Sequence, residues 1–286
     1  MEDIELIRQE LENENPFSRS NAIAKLAQIG SEEAVALMSR ALTDENAKVR
    51  YAALSKLVAR SDFNDVSLLL PLLDDENETI RVQCASALGR LGDDTLVETL
   101  FEHLEKAPAE ESKLRATLIQ SLGELCTMKH LSRMLPILED KDDRVRANAI
   151  EALDALYRND FVPRMLPLLE DENNRVRGNA IVALWRYNPK QCLTVLKDMV
   201  NSGNKWFKLS AIWAAGETKA PEALCEIVSL ADDADSDVRI FVIKTIAKNF
   251  KIDARAILET AAEDGDTTVA YYARKALDNL LEGNND

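Results

Sequence analysis

The sequence has few of the residues that catalytic and metal-binding sites use most often. Its 286 residues include two histidines, His103 and His130, and four cysteines. The cysteines stand alone, without a Cys-x-x-Cys pair, at Cys84, Cys126, Cys192 and Cys225. Isolated cysteines indicate neither a zinc site nor a disulfide framework, and two imidazoles are too few for the common iron and zinc sites. No glycine-rich phosphate loop or nucleophile motif is present either. We therefore predict no cofactor, no metal and no catalytic residue, and we favour a non-enzymatic protein over an enzyme.

Glycine, proline and long apolar stretches are also scarce. The chain has 9 Gly and 8 Pro, and no alternating apolar pattern predicts β-strands. No uncharged run is long enough to cross a bilayer, and the amino terminus, Met-Glu-Asp-Ile-Glu-Leu-Ile-Arg, lacks the basic flank and apolar run of a signal peptide. The sequence therefore predicts an all-α protein located in the cytoplasm, without membrane association.

Positive charge is the third deficit of the sequence. With 35 Lys and Arg against 50 Asp and Glu, the formal net charge is −15. Binding to nucleic acid or to anionic lipid depends on a field of basic side chains. We therefore predict that neither nucleic acid nor membrane is a partner.

One segment recurs throughout the chain, and it is clearest at 140–153, Asp-Lys-Asp-Asp-Arg-Val-Arg-Ala-Asn-Ala-Ile-Glu-Ala-Leu. Its nine copies can be aligned on an anchor position, occupied by Arg19, Arg50, Arg81, Arg115, Arg146, Arg177, Lys208, Arg239 and Ala270. Successive anchors are 31 residues apart, except for one step of 34 after Arg81. A period of this size is typical of a solenoid, in which each repeat buries its apolar face against its neighbours. Because the repeats run from end to end, we predict a single domain over residues 1–286.

Each repeat is predicted to contain two helices. Asn or Asp stands four residues before the anchor in every repeat but the fourth, and both residues are strong helix N-caps. The residues one before, three after and seven after the anchor are apolar in nearly every repeat, a spacing that places them on one helical face. The second helix of each repeat therefore begins after the cap, and the first helix precedes it.

These residues resemble a known repeat family. A first helix with Leu-Pro-x-Leu, then an Asp, then an Arg six residues later that Val precedes and Ala-x-x-Ala-Leu follows, is similar to the HEAT repeat in the short form of bacterial bilin-lyase-type proteins. The resemblance covers the whole chain and implies a right-handed α-solenoid (superhelix) of about nine two-helix repeats. It also implies a ladder between repeats, in which each Arg pairs with the Asp six residues before it. Those Asp positions are Asp44, Asp75, Asp140, Asp171, Asp233 and Asp264.

Some repeats depart from the family pattern. Asn13, Ala109 and Ser202 replace the ladder Asp, and the fourth repeat also carries three extra residues between Lys106 and Ser112. We therefore expect the ladder of the fourth repeat to be incomplete. Three first helices contain a proline after Leu70, Leu135 and Leu166, and proline is expected to bend them.

The residues two and five after each anchor lie off the buried face and are predicted to line an inner, concave surface. They are mostly small or polar in the first six repeats and become aromatic and basic in the last three. Exposed Trp, Tyr and Arg are common anchors of protein interfaces. We predict a partner-binding groove that comprises Asn179, Trp185, Arg186, Trp206, Trp213, Phe241, Lys244, Tyr272 and Lys275. The alternative is that the aromatic residues fill the core.

The sequence thus favours a scaffold or adaptor that binds another protein or a peptide segment in its concave groove. The family resemblance leaves a second possibility, a bilin (tetrapyrrole) lyase or chromophore chaperone that holds the pigment over the aromatic groove. A HEAT-type DNA glycosylase is a third, but it needs a basic groove, which a net charge of −15 disfavours. The short repeat form also indicates a bacterial protein.

Overall fold

The computed structural model describes residues 4–156, 160–249 and 254–282. Within these residues all regular elements are α- or 3-10 helices, which confirms the all-α class. The chain divides into two compact units, Met1–Ile137 and Leu138–Asp286, and the division falls inside a 3-10 segment of the fifth repeat, Leu135–Glu139. The single domain over residues 1–286 stays a prediction. No helix in the described part of the chain is long and apolar enough to span a bilayer.

In the first unit, second helices of neighbouring repeats lie against one another. The α-helices are α1 Ile4–Leu11, α2 Pro16–Ile29, α3 Glu32–Arg40, α4 Ala47–Val58, α5 Glu78–Leu91, α6 Val97–Lys106, α7 Ser112–Leu125 and α8 Leu131–Met134. The 3-10 segments are Ala41–Thr43, Val66–Leu68, Leu70–Asp74, Asp94–Leu96 and Met128–His130, followed by Leu135–Glu139. Helices α2, α4, α5 and α7 form a row, and α1, α3 and α6 each pack on the second helix of their own repeat.

The second unit repeats this arrangement. Its α-helices are α9 Asp143–Asp154, α10 Val162–Met165, α11 Asn174–Leu184, α12 Pro189–Val200, α13 Lys205–Thr218, α14 Pro221–Ile227, α15 Ser236–Asn249, α16 Arg255–Ala261 and α17 Thr267–Glu282. The 3-10 segments Leu166–Glu170 and Val228–Asp232 complete two first helices. Helices α9, α11, α13, α15 and α17 form the row of second helices.

The predicted caps and core positions determine where the second helices begin and which face they bury. A backbone N–H of the following turn donates to the side chains of Asn15, Asn46, Asn77, Asp142, Asn173, Asn204, Asp235 and Asp266. These bonds satisfy N–H groups that the helix itself leaves unpaired. In the fifth repeat Val145, Ala149 and Leu153 are completely buried, as their spacing around Arg146 predicts.

The first helices are more irregular than predicted, and proline is not the sole cause. The 3-10 segments that start at Leu70, Leu135 and Leu166 each contain a proline at their second residue. Ala41–Thr43 and Val228–Asp232, however, end their first helices in the same 3-10 form without proline. The tighter turn is therefore a property of the repeat, and the proline is one residue type that tolerates it.

Three of the four cysteines belong to the core. Cys84, Cys126 and Cys192 are buried, whereas Cys225 is exposed. Burial raises the pKa of the Cys84 thiol far above its ordinary value and raises the pKa values of Cys126 and Cys192 to about 12. These three thiols are therefore protonated and unreactive in the folded protein.

Candidate functional site

The anchor arginines form a ladder between neighbouring repeats, but the partner of each arginine differs from the prediction. Arg50 Nε and Nη2 donate to the two carboxylate oxygens of Asp75, 25 residues ahead, at 2.7 and 2.8 Å. Arg50 Nη1 donates to the backbone carbonyl of Asp44, the residue six before it, at 2.8 Å. The Asp six residues back thus supplies its carbonyl oxygen, and the Asp of the next repeat supplies the carboxylate.

The same rung recurs within each unit. Arg19 pairs with Asp44, Arg146 with Asp171 and Arg239 with Asp264 through two bonds of 2.8–2.9 Å. Lys208 makes a single bond of 2.5 Å to Asp233. In every one of these rungs the carboxylate also accepts the backbone N–H two residues later. The ladder accounts for the regular anchors as a structural device, without a bound anion.

Burial and bonding oppose each other at the ladder carboxylates. Burial acts to raise the pKa of Asp44, but the Arg19 guanidinium and the Asn46 N–H stabilise the ionised form and together lower this pKa below its ordinary value. The pKa of Asp75 is lowered by the matching bonds from Arg50 and the Asn77 N–H. A pair that is both buried and doubly bonded stays ionised at neutral pH.

The rung between the third and fourth repeats is present in altered form, so Ala109 does not leave Arg81 without a carboxylate. Ala109 cannot pair with Arg81, but Glu111 lies two residues later and accepts Arg81 Nη2 at 2.6 Å. Glu111 occupies the N-cap position of α7, which has no side-chain cap bond. The longer glutamate side chain therefore serves the ladder instead of the cap.

The rung between the sixth and seventh repeats differs from all of these. Arg177 would face a carboxylate at position 202, where the chain has Ser202. Its guanidinium lies over the ring of Phe207, 5.0 Å from the centroid, and its Nε donates to the backbone carbonyl of Asp171. The Ser202 hydroxyl accepts a hydrogen bond from the Asn204 N–H at 3.1 Å. It thus replaces the Asp as acceptor of the backbone N–H, but it does not pair with the arginine.

Most of the residues predicted to bind a partner lie on α13, α15 and α17, where they are exposed or half-buried. We call this surface the aromatic face and define it by Trp206, Trp213, Phe241, Lys244, Tyr272 and Lys275. Trp206 is 62% exposed, and Trp213, Phe241 and Tyr272 are half-buried. These aromatic side chains therefore lie at the surface of the second unit and do not fill its core.

Local packing explains why the aromatic side chains are partly covered. A Cβ atom added to Gly178 would lie 3.5 Å from Trp213 Cε3, so the indole ring lies against the start of α11 where most repeats have a larger residue. Lys244 Nζ lies 3.7 Å from the centroid of the Tyr272 ring, a cation–π contact. Tyr271 packs edge-on against Tyr272 and is 58% exposed. Tyr271 adds to the face, and its position directly after the last anchor is the signal that could have included it.

Asn179 is a correction to the predicted site. Its side chain is 3% exposed, and Nδ2 donates to the Ala147 carbonyl at 3.0 Å and to Glu151 Oε1 at 2.7 Å. Arg175 donates to the same Glu151 oxygen at 3.1 Å. Asn179 joins α11 to α9, and its donor bonds are not available to a partner.

Trp185 and Arg186 directly follow the end of α11 at Leu184. Trp185 is half-buried and Arg186 is exposed. Arg186 pairs with Asp154 of α9, and its guanidinium lies 5.4 Å from the centroid of the Tyr187 ring. Burial raises the pKa of Asp154, and the attraction of Arg186 opposes this effect. Arg186 is thus already engaged within the second unit.

The lysines differ in whether a carboxylate neutralises them. Lys205 pairs with Asp235 at 3.0 Å and with Asp237 at 2.6 Å. Lys244, Lys248 and Lys275 are exposed and pair with no carboxylate in the described ranges. The α15–α17 end of the aromatic face therefore combines aromatic rings with positive charge. Across residues 4–156, 160–249 and 254–282, no three His, Cys, Asp or Glu side chains lie close enough to hold a metal ion.

Comparison with known proteins agrees with this repeat architecture. An X-ray structure of YibA from Escherichia coli aligns with 91% of this chain and 95% of its own, at 19% identity and a TM-score of 0.51. Human deoxyhypusine hydroxylase in complex with glycerol aligns with 85% and 94%, at 18% identity and a TM-score of 0.37. At such identities the first likeness shows the fold alone, and the second is too weak to support an argument. No curated protein matches the chain.

Family models match almost the whole chain. The model described as HEAT repeats matches residues 4–70, 97–185, 131–207, 162–239 and 193–278, and the model described as HEAT repeat matches residues 66–94. These matches include the ladder arginines and the aromatic face, and they confirm the resemblance drawn from the repeated segment. The chain belongs to the HEAT-repeat family.

Proposed function

We propose that this protein is a non-enzymatic binding module whose aromatic face takes up a segment of another protein. The observation that supports the proposal is the combination of exposed aromatic rings with unpaired lysines on neighbouring second helices. Trp206 and Tyr271 are 62% and 58% exposed, and apolar side chains grouped on a surface with a polar rim are a common mark of a protein–protein interaction site. Aromatic side chains of this kind provide most of the affinity in many interfaces.

Charge favours a segment that is both acidic and apolar. The protein carries a net charge of −15. Among the residues that the structure describes, Lys244, Lys248 and Lys275 of α15 and α17 nevertheless have no carboxylate partner, and Lys244 lies against the Tyr272 ring. A partner with carboxylates beside leucine or phenylalanine would cover the rings and neutralise the lysines. The lysines would then contribute association rate and register, and the rings would contribute affinity.

The tryptophans provide a direct test of the proposal. Two of the three tryptophans, Trp206 and Trp213, belong to the aromatic face, so intrinsic fluorescence reports on this surface. A synthetic amphipathic peptide rich in Glu and Leu should shift the emission to shorter wavelength in a saturable titration. The same peptide with Lys in place of Glu should bind far more weakly. A flat titration with the acidic peptide would contradict the proposal.

Substitutions should locate the binding surface. Trp206→Ala and Phe241→Ala should each weaken peptide binding by about 2 kcal/mol, the scale of an interface hot spot. Because Trp206 is mostly exposed, its removal should leave the urea midpoint nearly unchanged. Ser86→Ala, at the third-repeat position that corresponds to Trp213 in the seventh repeat, is the control and should bind the peptide as the wild type does. Equal affinity of all three variants would place the peptide elsewhere.

The same titration separates this proposal from the chromophore-binding alternative. Addition of biliverdin to the protein would quench the three tryptophans and change the pigment's absorbance if the aromatic face held a tetrapyrrole. We expect no saturable change. A saturable change that Trp206→Ala abolishes would favour the chromophore chaperone or lyase.

A further inference from the structure

The ladder rung at Arg177 has lost both of the carboxylates that a rung can contain. In the first two rungs the Asp is followed by a glutamate that also pairs with the arginine, Glu45 at 3.3 Å and Glu76 at 3.2 Å. At the Arg177 rung these two positions hold Ser202 and Gly203. In the described part of the chain, Arg177 makes no ion pair.

The residue that lies against Arg177 is less buried than its equivalent in most other repeats. The residue before the anchor is fully buried in the fifth, sixth, eighth and ninth repeats, as Val145, Val176, Val238 and Val269. In the seventh repeat this residue is Phe207, which is half-buried and lies under the Arg177 guanidinium. A Cβ atom added to Gly203 would meet no atom within 4 Å. The guanidinium is held on one side by a ring, and the adjacent turn leaves space.

We propose that the Arg177 rung binds a carboxylate supplied by the partner segment. In the complete rungs the guanidinium takes a carboxylate through Nε and Nη2. In Arg177 these two nitrogens donate to the backbone carbonyls of Asp171 and Glu170, the latter at 3.5 Å, so the guanidinium must turn from both carbonyls to take a ligand carboxylate in the same geometry. The Asn204 N–H already donates to the Ser202 hydroxyl, so a ligand carboxylate need accept hydrogen bonds from the guanidinium alone. An Asp or Glu side chain meets this need.

This inference rests on the proposed function and extends it by naming a second contact. Trp206, the most exposed tryptophan of the aromatic face, adjoins Phe207 in the first turn of α13, and the Arg177 guanidinium lies over the Phe207 ring. A segment that covers Trp206 would therefore lie next to the residue on which this guanidinium rests. The bound carboxylate would fix the register of the segment on α13, because a guanidinium and a carboxylate pair in a fixed plane.

The first experiment asks whether the rung is vacant, and it needs no partner. Ser202→Asp places a carboxylate 25 residues after Arg177, the separation found in the complete rungs. It should raise Tm by about 2–4 °C, the shift that about 1 kcal/mol produces in a protein of this size. Ser202→Asn is the matched control, because its amide oxygen can accept the Asn204 N–H but carries no charge. If the two variants have the same Tm, the rung is not vacant and the inference is wrong.

The second experiment asks whether a partner carboxylate uses the rung. The acidic Glu- and Leu-rich peptide should bind Ser202→Asp about tenfold more weakly than wild type, because the rung is then filled from within, and should bind Ser202→Asn as it binds wild type. Replacement of the peptide glutamates one at a time by Gln should identify one whose loss weakens binding to wild type about tenfold and leaves binding to Ser202→Asp unchanged.

The outcomes separate this inference from the proposed function. Equal peptide affinity for wild type and Ser202→Asp, together with a raised Tm of Ser202→Asp, would overturn the inference and leave the binding role of the aromatic face standing. Absence of peptide binding to wild type would contradict both. A raised Tm together with selective loss of one glutamate contact would support both.

Discussion

In a complete rung, a single arginine guanidinium holds the turn of its own repeat and the carboxylate of the next repeat. Arg146 donates through Nη1 to the carbonyl of Asp140 at 2.8 Å, and through Nε and Nη2 to Asp171. Five N–H donors in a fixed plane allow this division of work, and a lysine cannot reproduce it. Lys208 accordingly makes one ladder bond, to Asp233.

Removal of one arginine tests how much a rung contributes. Arg146→Ala leaves Asp171 with only the Asn173 N–H at 2.9 Å while it remains largely buried. We expect unfolding to become easier by about 1–3 kcal/mol in urea, measured by far-UV circular dichroism. Arg255→Ala, which breaks an exposed pair with Glu259, is the control and should change little. A matching effect of the two substitutions would show that the ladder contributes nothing special.

The ladder carboxylates also give the protein a defined acid sensitivity. Because the pKa of Asp44 is lowered in the folded state, its contribution to stability is present above the unfolded pKa, which is about 3.9, and is lost as pH falls through the folded pKa. We expect Asp44→Asn to be less stable than wild type at pH 7, and the difference to close as pH falls below about 4. Asp94→Asn, which removes the carboxylate of an exposed pair with Lys129, is the control and should change the stability at pH 7 little. A gap that persists at pH 2 would exclude the ionised rung as its cause.

At the scale of elements, helices α5 and α7 approach each other closely at Gly89. A Cβ atom added to Gly89 would lie 2.7 Å from Ser121 Cβ and 2.8 Å from Ser121 Cα. The buried Ser121 hydroxyl donates to the Ala85 carbonyl at 2.8 Å and ties the two helices together. This contact and the Arg81–Glu111 pair compensate for the lengthened turn of the fourth repeat, so the turn need not weaken the junction.

Gly89→Ala sets two effects of opposite sign against each other. In an exposed helix, alanine is more favourable than glycine by about 1 kcal/mol. At position 89, however, the methyl group would collide with the Cα and Cβ atoms of Ser121, which cannot rotate away. We expect a net destabilisation of about 1–3 kcal/mol in urea unfolding. Gly265→Ala, where nothing lies within 4 Å, should be neutral or slightly stabilising. An increase in stability for Gly89→Ala would mean that the two helices are not held so close.

For the whole molecule, residues with a fixed period could be predicted from the sequence, whereas residues that depend on a neighbouring repeat could not. The caps, the buried positions and the presence of a ladder follow from contacts within a helix or from a constant separation. The sequence places Asn179 in the partner-binding groove, whereas the structure buries it, because its burial depends on Ala147 and Glu151, about thirty residues away. Glu111 was missed because a longer side chain reached the rung from a different position. Trp213 is half-buried because Gly178 leaves room for it.

Because both units contain buried cysteines, the local opening of each unit can be measured separately from cysteine labelling rates. Cys84 and Cys126 belong to the first unit and Cys192 to the second, and a buried thiol reacts with an alkylating reagent only when its surroundings open. The labelling rate of each cysteine in native buffer, resolved by mass spectrometry, therefore measures the free energy of opening around that residue. Equal free energies of opening at the three sites would indicate that the chain unfolds in one cooperative step. Different free energies in the two units would indicate that the units open independently. Without any added probe, the protein reports how far cooperativity extends along its own repeats.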